Sequence, residues 1–212
     1  LFKLILNNFV QHYKRIRMRH NLSEIKSVIE DRRSIRPEFF SSRKVHKEIV
    51  MELLDAAKWA PTHRYTQPWQ FKVFLGDGLK KLSEFQSEVY RTKKADDFKQ
   101  DKHDKLRDRP LLATAIIGIC LKRDEAERDP IEEELASVSM AAQNMMLVAA
   151  AHGIGAFWSS GGVTYWPETK EFMDLEDKDK FLGFLYLGYP EEGWPRKTRR
   201  KPQEYYTEWI ES

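Results

Sequence analysis

The chain has 212 residues, 41% hydrophobic and 33% charged, which suits one α/β domain with a sizeable core and argues against a membrane protein. No apolar run approaches the roughly 20 residues that span a bilayer. The apolar Leu1–Leu6 stretch is too short for a secretory signal and lacks a small-residue cleavage site, so a cytoplasmic location is expected.

The net charge of +3 hides two basic clusters. Lys14, Arg15, Arg17, Arg19 and His20 crowd the first, and Arg196, Lys197, Arg199, Arg200 and Lys201 the second. Residues 1–22 read as a basic extension, amphipathic over residues 1–20, and residues 23–212 as the domain proper. Ser23 predicts a helix N-cap, and Ile25, Val28 and Ile29 give that helix one apolar face up to Arg32. Val45, Ile49, Leu53, Ala56 and Ala57 recur at helical spacing across 46–59, and Pro61 stops them. Residues 71–75 alternate as a strand, with Gly76-Asp77-Gly78 as the turn after it.

Residues 79–109 are charged and weakly periodic, predicting one or two exposed helices bounded by Pro110. Leu111–Leu121 is continuously apolar, as a strand buried on both faces requires. Cys120 lies inside that run and reads as a buried structural thiol. Residues 131–151 predict the longest helix, apolar round much of its surface and rich in small residues that admit a second helix closely. Gly153 and Gly155 end it, Phe157-Trp158 opens a strand, and 181–189 predicts another ending at Pro190.

Three segments could carry chemistry. Arg32-Arg33-Ser34-Ile35-Arg36 places guanidiniums and a hydroxyl together at a helix end, the donor set a phosphate prefers. In Pro61-Thr62-His63-Arg64-Tyr65-Thr66-Gln67-Pro68-Trp69, two prolines limit a polar turn that runs into a strand. Trp158-Ser159-Ser160-Gly161-Gly162 offers a turn whose backbone can approach a ligand closely. No catalytic triad, paired-carboxylate motif, Walker sequence or metal-ligand spacing accompanies them.

Together with the tail Lys197-Thr198-Arg199-Arg200-Lys201-Pro202, these segments resemble the flavin-binding framework of the nitroreductase family, from about Ser23 to Pro202, and its small minimal members in particular. The resemblance implies an α+β, three-layer α/β/α sandwich with a central mixed sheet, forming a homodimer with FMN at the interface. It implies FMN contacts from Arg32, Arg33, Ser34, Arg36, Trp59, His63 and Gln67, with His63 reaching across the dimer. Trp158, Ser159, Ser160 and Gly161 would contribute backbone near the flavin, and Arg200 would close over the phosphate.

Family relatives usually carry Arg where this chain has Ser159, so a contact from that side chain is lost or relocated. Many carry Asn or Ser where it has Tyr65. The implied reaction takes hydride from NAD(P)H and passes electrons to a nitroaromatic, quinone or similar small acceptor, with no catalytic side chain, metal, nucleic acid or membrane involved. Two other readings stay open: a basic module that engages nucleic acid or anionic membrane, and an FMN-binding family member without turnover.

Overall fold

The structure is a computed structural model and describes residues 20–211. The expected basic stretch of residues 1–20 lies outside them except for His20. The chain divides into two compact units, Leu1–Asp31 and Arg32–Ser212. In the first, helix α1 (Leu22–Asp31) is capped by Asn21: its Oδ1 accepts the Ser23 amide at 3.1 Å and the Ser23 hydroxyl at 2.7 Å. Ser23 was expected at the cap. Asn21 takes the position because its carbonyl oxygen reaches the second helical amide, leaving the serine inside the first turn.

The second unit is built on a four-stranded sheet, β1 (Trp69–Phe74), β2 (Ala115–Leu121), β3 (Gly155–Ser159) and β4 (Lys180–Gly188), in the order β1-β2-β4-β3. Its three ladders are antiparallel. Among the described residues the parallel component of the sheet is a single bridge, Ser34 to Ala156 at the β3 edge.

Strand β2 explains the layering. All seven of its residues are buried. Ile117, Ile119 and Leu121 join one core, with Leu53 and Ala57 of α2 (Lys47–Ala57) and Val138, Ala142 and Met145 of α5 (Ile131–Ala151). Ile116 and Cys120 join the other, with Phe74, Leu82, Met173, Phe181 and Phe184. The period of two sends alternate side chains into opposite layers. Helices α3 (Asp77–Lys93), α4 (Gln100–Leu112) and α6 (Pro167–Phe172) cover this second face. The result is the α+β, three-layer arrangement expected.

Several boundaries differ from expectation. Helix α4 runs through Pro110 to Leu112, since a proline near a helix end forfeits one amide bond without stopping the final turn. The strand therefore starts at Ala115 and not at Leu111. Of the expected Gly-Asp-Gly turn, only Gly76, at φ +52°, lies outside α3.

Helix α3 is half-buried and not exposed: Leu82 and Tyr90 are fully enclosed, and Phe85 stacks on Phe172 with centroids 3.9 Å apart. Its charges occupy the outer face and mask an apolar stripe. Helix α5 spans the expected residues, but Ala136, Ser139, Met140 and Gln143 face outward, so it is one-sided in the single chain. Gly155 belongs to β3 and not to the helix end. A Cβ there would lie 2.9 Å from the Ile35 Cβ, so its hydrogen is what lets the segment after Arg32 dock on β3.

Candidate functional site

The segment from Arg32 to Arg36 is extended rather than a helix end, and a 3-10 turn follows at Pro37–Phe39. Residues along it alternate: Arg33, Ile35 and Pro37 are buried, whereas Ser34 and Arg36 are exposed and Arg32 is half-buried. The Ile35 amide donates to the Ala156 carbonyl at 3.2 Å, fixing that alternation against β3. Because the bridge is parallel, the outward face runs with β3 toward its Trp158–Ser159 end.

Arg33 is 8% exposed, and its guanidinium is turned into the protein. Its Nε donates to the Arg196 carbonyl at 3.3 Å and its Nη1 to the Arg32 carbonyl at 2.8 Å. This draws the tail alongside the segment. Ser34, Arg36 and Phe39 then share a concavity of about 440 Å³ with Trp194 and Pro195.

Arg200 follows in the same tail. Burial, and then the positive charges of Arg200 and Arg33, hold the Arg32 guanidinium below its ordinary pKa. Among the described residues no carboxylate pairs with Arg32 or Arg200. Like charges gathered without a counter-ion are unfavourable in themselves, and an anion at this place would relieve them. The donor set fits a phosphate with an adjoining polyol: guanidinium forks for the charge, and the Ser34 hydroxyl beside them.

The turn after β3 sits between two concavities. On the α5 side, Trp158 and Ser160 line a space of about 470 Å³ with Leu135, Ser139, Tyr165 and Leu182. On the α4 side, Ser159, Gly161 and Gly162 line another of about 470 Å³ with Arg109, Phe184 and Tyr186. Trp158 is anchored, its Nε1 donating to the Leu182 carbonyl at 3.0 Å. That carbonyl is available because the β2–β4 register slips at Leu182, the extra residue of a bulge. Gly162, at φ +69°, lies under Leu106 of α4, whose Cδ2 would be 3.0 Å from a Cβ there. Helix α4 therefore packs directly on the turn.

The third segment lies elsewhere on the surface, against the start of α5. His63 Nδ1 is 2.6 Å from Glu133 Oε2, and Arg64 Nε is 3.3 Å from the enclosed Asp129 Oδ1. The Thr62 hydroxyl accepts the Gln67 amide at 3.1 Å. Arg64, Tyr65 and Gln67 all have φ near +50°, a left-handed conformation costing about 1 kcal/mol or more per side-chain-bearing residue. Trp59 is 76% exposed and Tyr65 87%.

Thus the structure brings Arg32, Ser34, Arg36 and Arg200 together at the edge of β3, where Ser34 bridges Ala156, and leaves Trp59, His63 and Gln67 on a separate loop. Arg33 braces the tail rather than facing a ligand. The sequence reading missed the residues that hold this arrangement. Asp129 and Glu133 grip the loop, but their acids are 62 or more residues from it and no local pattern ties them to it. Gln86 and Tyr186 floor the α4-side cavity. Both are buried polar side chains, and the signal for them was polarity on the inward stripes of a helix and a strand.

Known proteins with similar chains share this fold. YfhC of Bacillus subtilis, named as a candidate NAD(P)H nitroreductase, is 29% identical over 190 residues, covering 89% of this chain and 96% of its own. YdjA of Escherichia coli K12, named likewise, is 34% identical over 144 residues, covering 68% and 77%. The crystal structure of a nitroreductase-like family protein from Bacillus cereus is 32% identical, with a TM-score of 0.74 over 89% of this chain and 96% of that one. A Desulfovibrio desulfuricans structure described as a candidate nitroreductase in complex with FMN has a TM-score of 0.68 at 24% identity, covering 91% and 99%. The model of the nitroreductase family itself matches residues 29–189. On that match, which takes in the sheet, both helical layers and all three polar segments, this chain belongs to the nitroreductase family.

Proposed function

We propose that this protein is an FMN-dependent oxidoreductase that takes hydride from NAD(P)H and reduces nitroaromatic, quinone or similar small acceptors, working as a homodimer. When bound, FMN supplies the hydride acceptance and donation. The residues of the chain bind and orient it. Arg32 and Arg200 hold the phosphate, Ser34 donates to the phosphate or the neighbouring ribityl oxygens, and Arg36 places a cation further along toward Trp158. The backbone of Trp158, Ser159, Ser160 and Gly161 lies alongside the ring system. Arg33 acts one step removed, through the tail.

The observation that carries this reading is the outward placement of Ser34 and Arg36 on the β3 edge, with the half-buried Arg32 and Arg200 close to one another and, among the described residues, no carboxylate paired with either arginine. The dimer is supported by the outward strip of α5 and by the exposure of Trp59 and Tyr65, whose loop lies apart from the phosphate cradle. On this reading His63, Gln67 and Trp59 complete the site of the other protomer. Glu133 fixes His63 through Nδ1 and so presents Nε2.

The test is the visible absorption spectrum of the purified protein before and after anaerobic NADPH or NADH, followed by titration of the apoprotein with FMN and with riboflavin. Flavin bands that bleach, and binding that requires the phosphate, are the expected results. A protein that stays colourless with added FMN refutes the reading. Flavin that NAD(P)H does not bleach leaves the cofactor but removes the nicotinamide step.

A further inference from the structure

The α4-side cavity differs in chemistry from the other two concavities. Its floor is apolar, with Phe184 and Leu106, apart from one buried amide–phenol pair. Gln86 and Tyr186 are each 3% exposed and both line the cavity. Burial raises the Tyr186 pKa, so the phenol stays neutral. One wall is the Ser159–Gly162 turn. The rim carries three cations, Lys102, Lys105 and Arg109, against one acid, Asp101.

Arg109 is already committed. Its Nε lies 3.1 Å from Glu38 Oε1, and its guanidinium sits over the Phe157 ring at 5.0 Å. Lys102 lies over the face of Tyr90, 5.3 Å away. Among the described residues no carboxylate forms an ion pair with Lys102 or Lys105. They stand one turn apart on α4, which Leu106 docks on Gly162, so their distance from the turn is set by packing. About 470 Å³ accommodates a one- or two-ring organic molecule.

We propose that this cavity is the acceptor subsite and that it selects planar acceptors bearing a carboxylate or sulfonate, with Lys102 and Lys105 as the specificity-determining residues. The inference rests on the proposed flavin reading, which places the reacting ring beside the same turn. The apolar floor takes the ring of the acceptor, and the lysines meet its anionic substituent at the mouth. For a quinone the reaction balances as quinone plus NAD(P)H plus H⁺ giving hydroquinone plus NAD(P)⁺. The hydride supplies two electrons and one proton, solvent supplies the second proton, and no group leaves.

The test compares kcat/KM of the flavin-containing protein for 1,4-naphthoquinone-2-sulfonate and for 1,4-naphthoquinone, in wild type and in the double variant K102Q/K105Q. In parallel, calorimetry measures binding of 2-naphthalenesulfonate, which cannot be reduced. Two solvent-facing cations together account for about a tenfold preference. The expected ratio is therefore about 10 in favour of the sulfonate, falling toward 1 in the variant and in high salt. Naphthalenesulfonate affinity should fall by a similar factor.

Parity in wild type overturns the proposal, as does a preference that survives in the variant. A variant that raises the KM for NADPH and leaves the sulfonate ratio alone assigns the lysines to the nucleotide phosphates instead, and also overturns it. Failure to reduce either quinone would count against the flavin reading. The calorimetric arm would still decide whether the cavity binds aromatic anions.

Discussion

Arg33 and Arg196 stand 163 residues apart, and the side chain of the first donates to the carbonyl of the second over 3.3 Å. That bond draws the tail alongside the Arg32–Arg36 segment, and with it Arg200 toward Arg32. Ligand binding and folding then make opposite demands on Arg200. Without an anion its charge opposes that of Arg32, so R200Q should raise the melting temperature of the apoprotein by about 1–3 °C, the effect of relieving a partly screened repulsion. The same change should weaken FMN about tenfold or more while altering riboflavin affinity little, because riboflavin lacks the phosphate. Thermal melts of apoprotein, with fluorescence titrations of both flavins, check the pair of outcomes. A variant that loses stability and binds both flavins equally badly would show that Arg200 is a packing residue.

Gly183 tests how tightly the turn is held. It follows the bulge at Leu182, has φ +126°, and a Cβ there would overlap the Ser159 carbonyl oxygen, a backbone atom that cannot move aside cheaply. Gly183→Ala should therefore destabilise the protein by about 2–4 kcal/mol, read from urea unfolding. The strain falls on Ser159, so flavin affinity should drop as well. Gly153→Ala is the control. It has φ +69° but open space around it, and should cost only about 1 kcal/mol with flavin binding intact.

These positions mark how far the sequence could be read. Periodicity gives strand β2 and helix α5 because burial imposes periods that survive in the residue order: Ile117, Ile119 and Leu121 on one face, Val138, Ala142 and Met145 on one stripe. The three polar segments stand out because clustered guanidiniums, paired prolines and paired glycines are unusual in themselves. The chain does not reveal the alternation that buries Arg33 and exposes Ser34 and Arg36. An RRSIR string reads equally well as a helix end, and only docking on Gly155 and Ala156 makes it extended. Residues that act through distant partners, such as Asp129 on Arg64 or Gln86 on Tyr186, are invisible until the fold joins them.

The loop of residues 63–67 is held open against its own backbone preferences, and Asp129 is the grip. Its side chain is 1% exposed, and among the described residues neither oxygen receives a hydrogen bond; Arg64 at 3.3 Å is its counter-charge, with the His63 ring 3.6 Å away. Arg64→Ala leaves a buried carboxylate with only the histidine and should cost about 1–2 kcal/mol. Removing the charge as well, in R64A/D129N, should recover about 1 kcal/mol of that loss in a double-mutant cycle. If the two changes are simply additive, the loop is held by its Thr62 and Thr66 bonds instead.

Cys120 yields a prediction with a definite pH window. Burial in the second core pushes its thiol up to about 12; Lys72 opposes the shift and Asp179 adds to it. An unfolded thiol titrates near 8.5. Between those values the folded protein holds a proton that the unfolded chain has lost, so the contribution of the thiol is fully present below about pH 8.5 and declines as pH rises through the window. The native protein should resist iodoacetamide at pH 8.5, and one equivalent should react once denaturant unfolds it. Urea midpoints measured at pH 8 and pH 10 should fall further for wild type than for Cys120→Ala, after the common effect of lysines and tyrosines is subtracted. Rapid alkylation of the native protein would mean that the layer between β2 and α3 opens readily, and the central strand would then not be the most protected part of the fold.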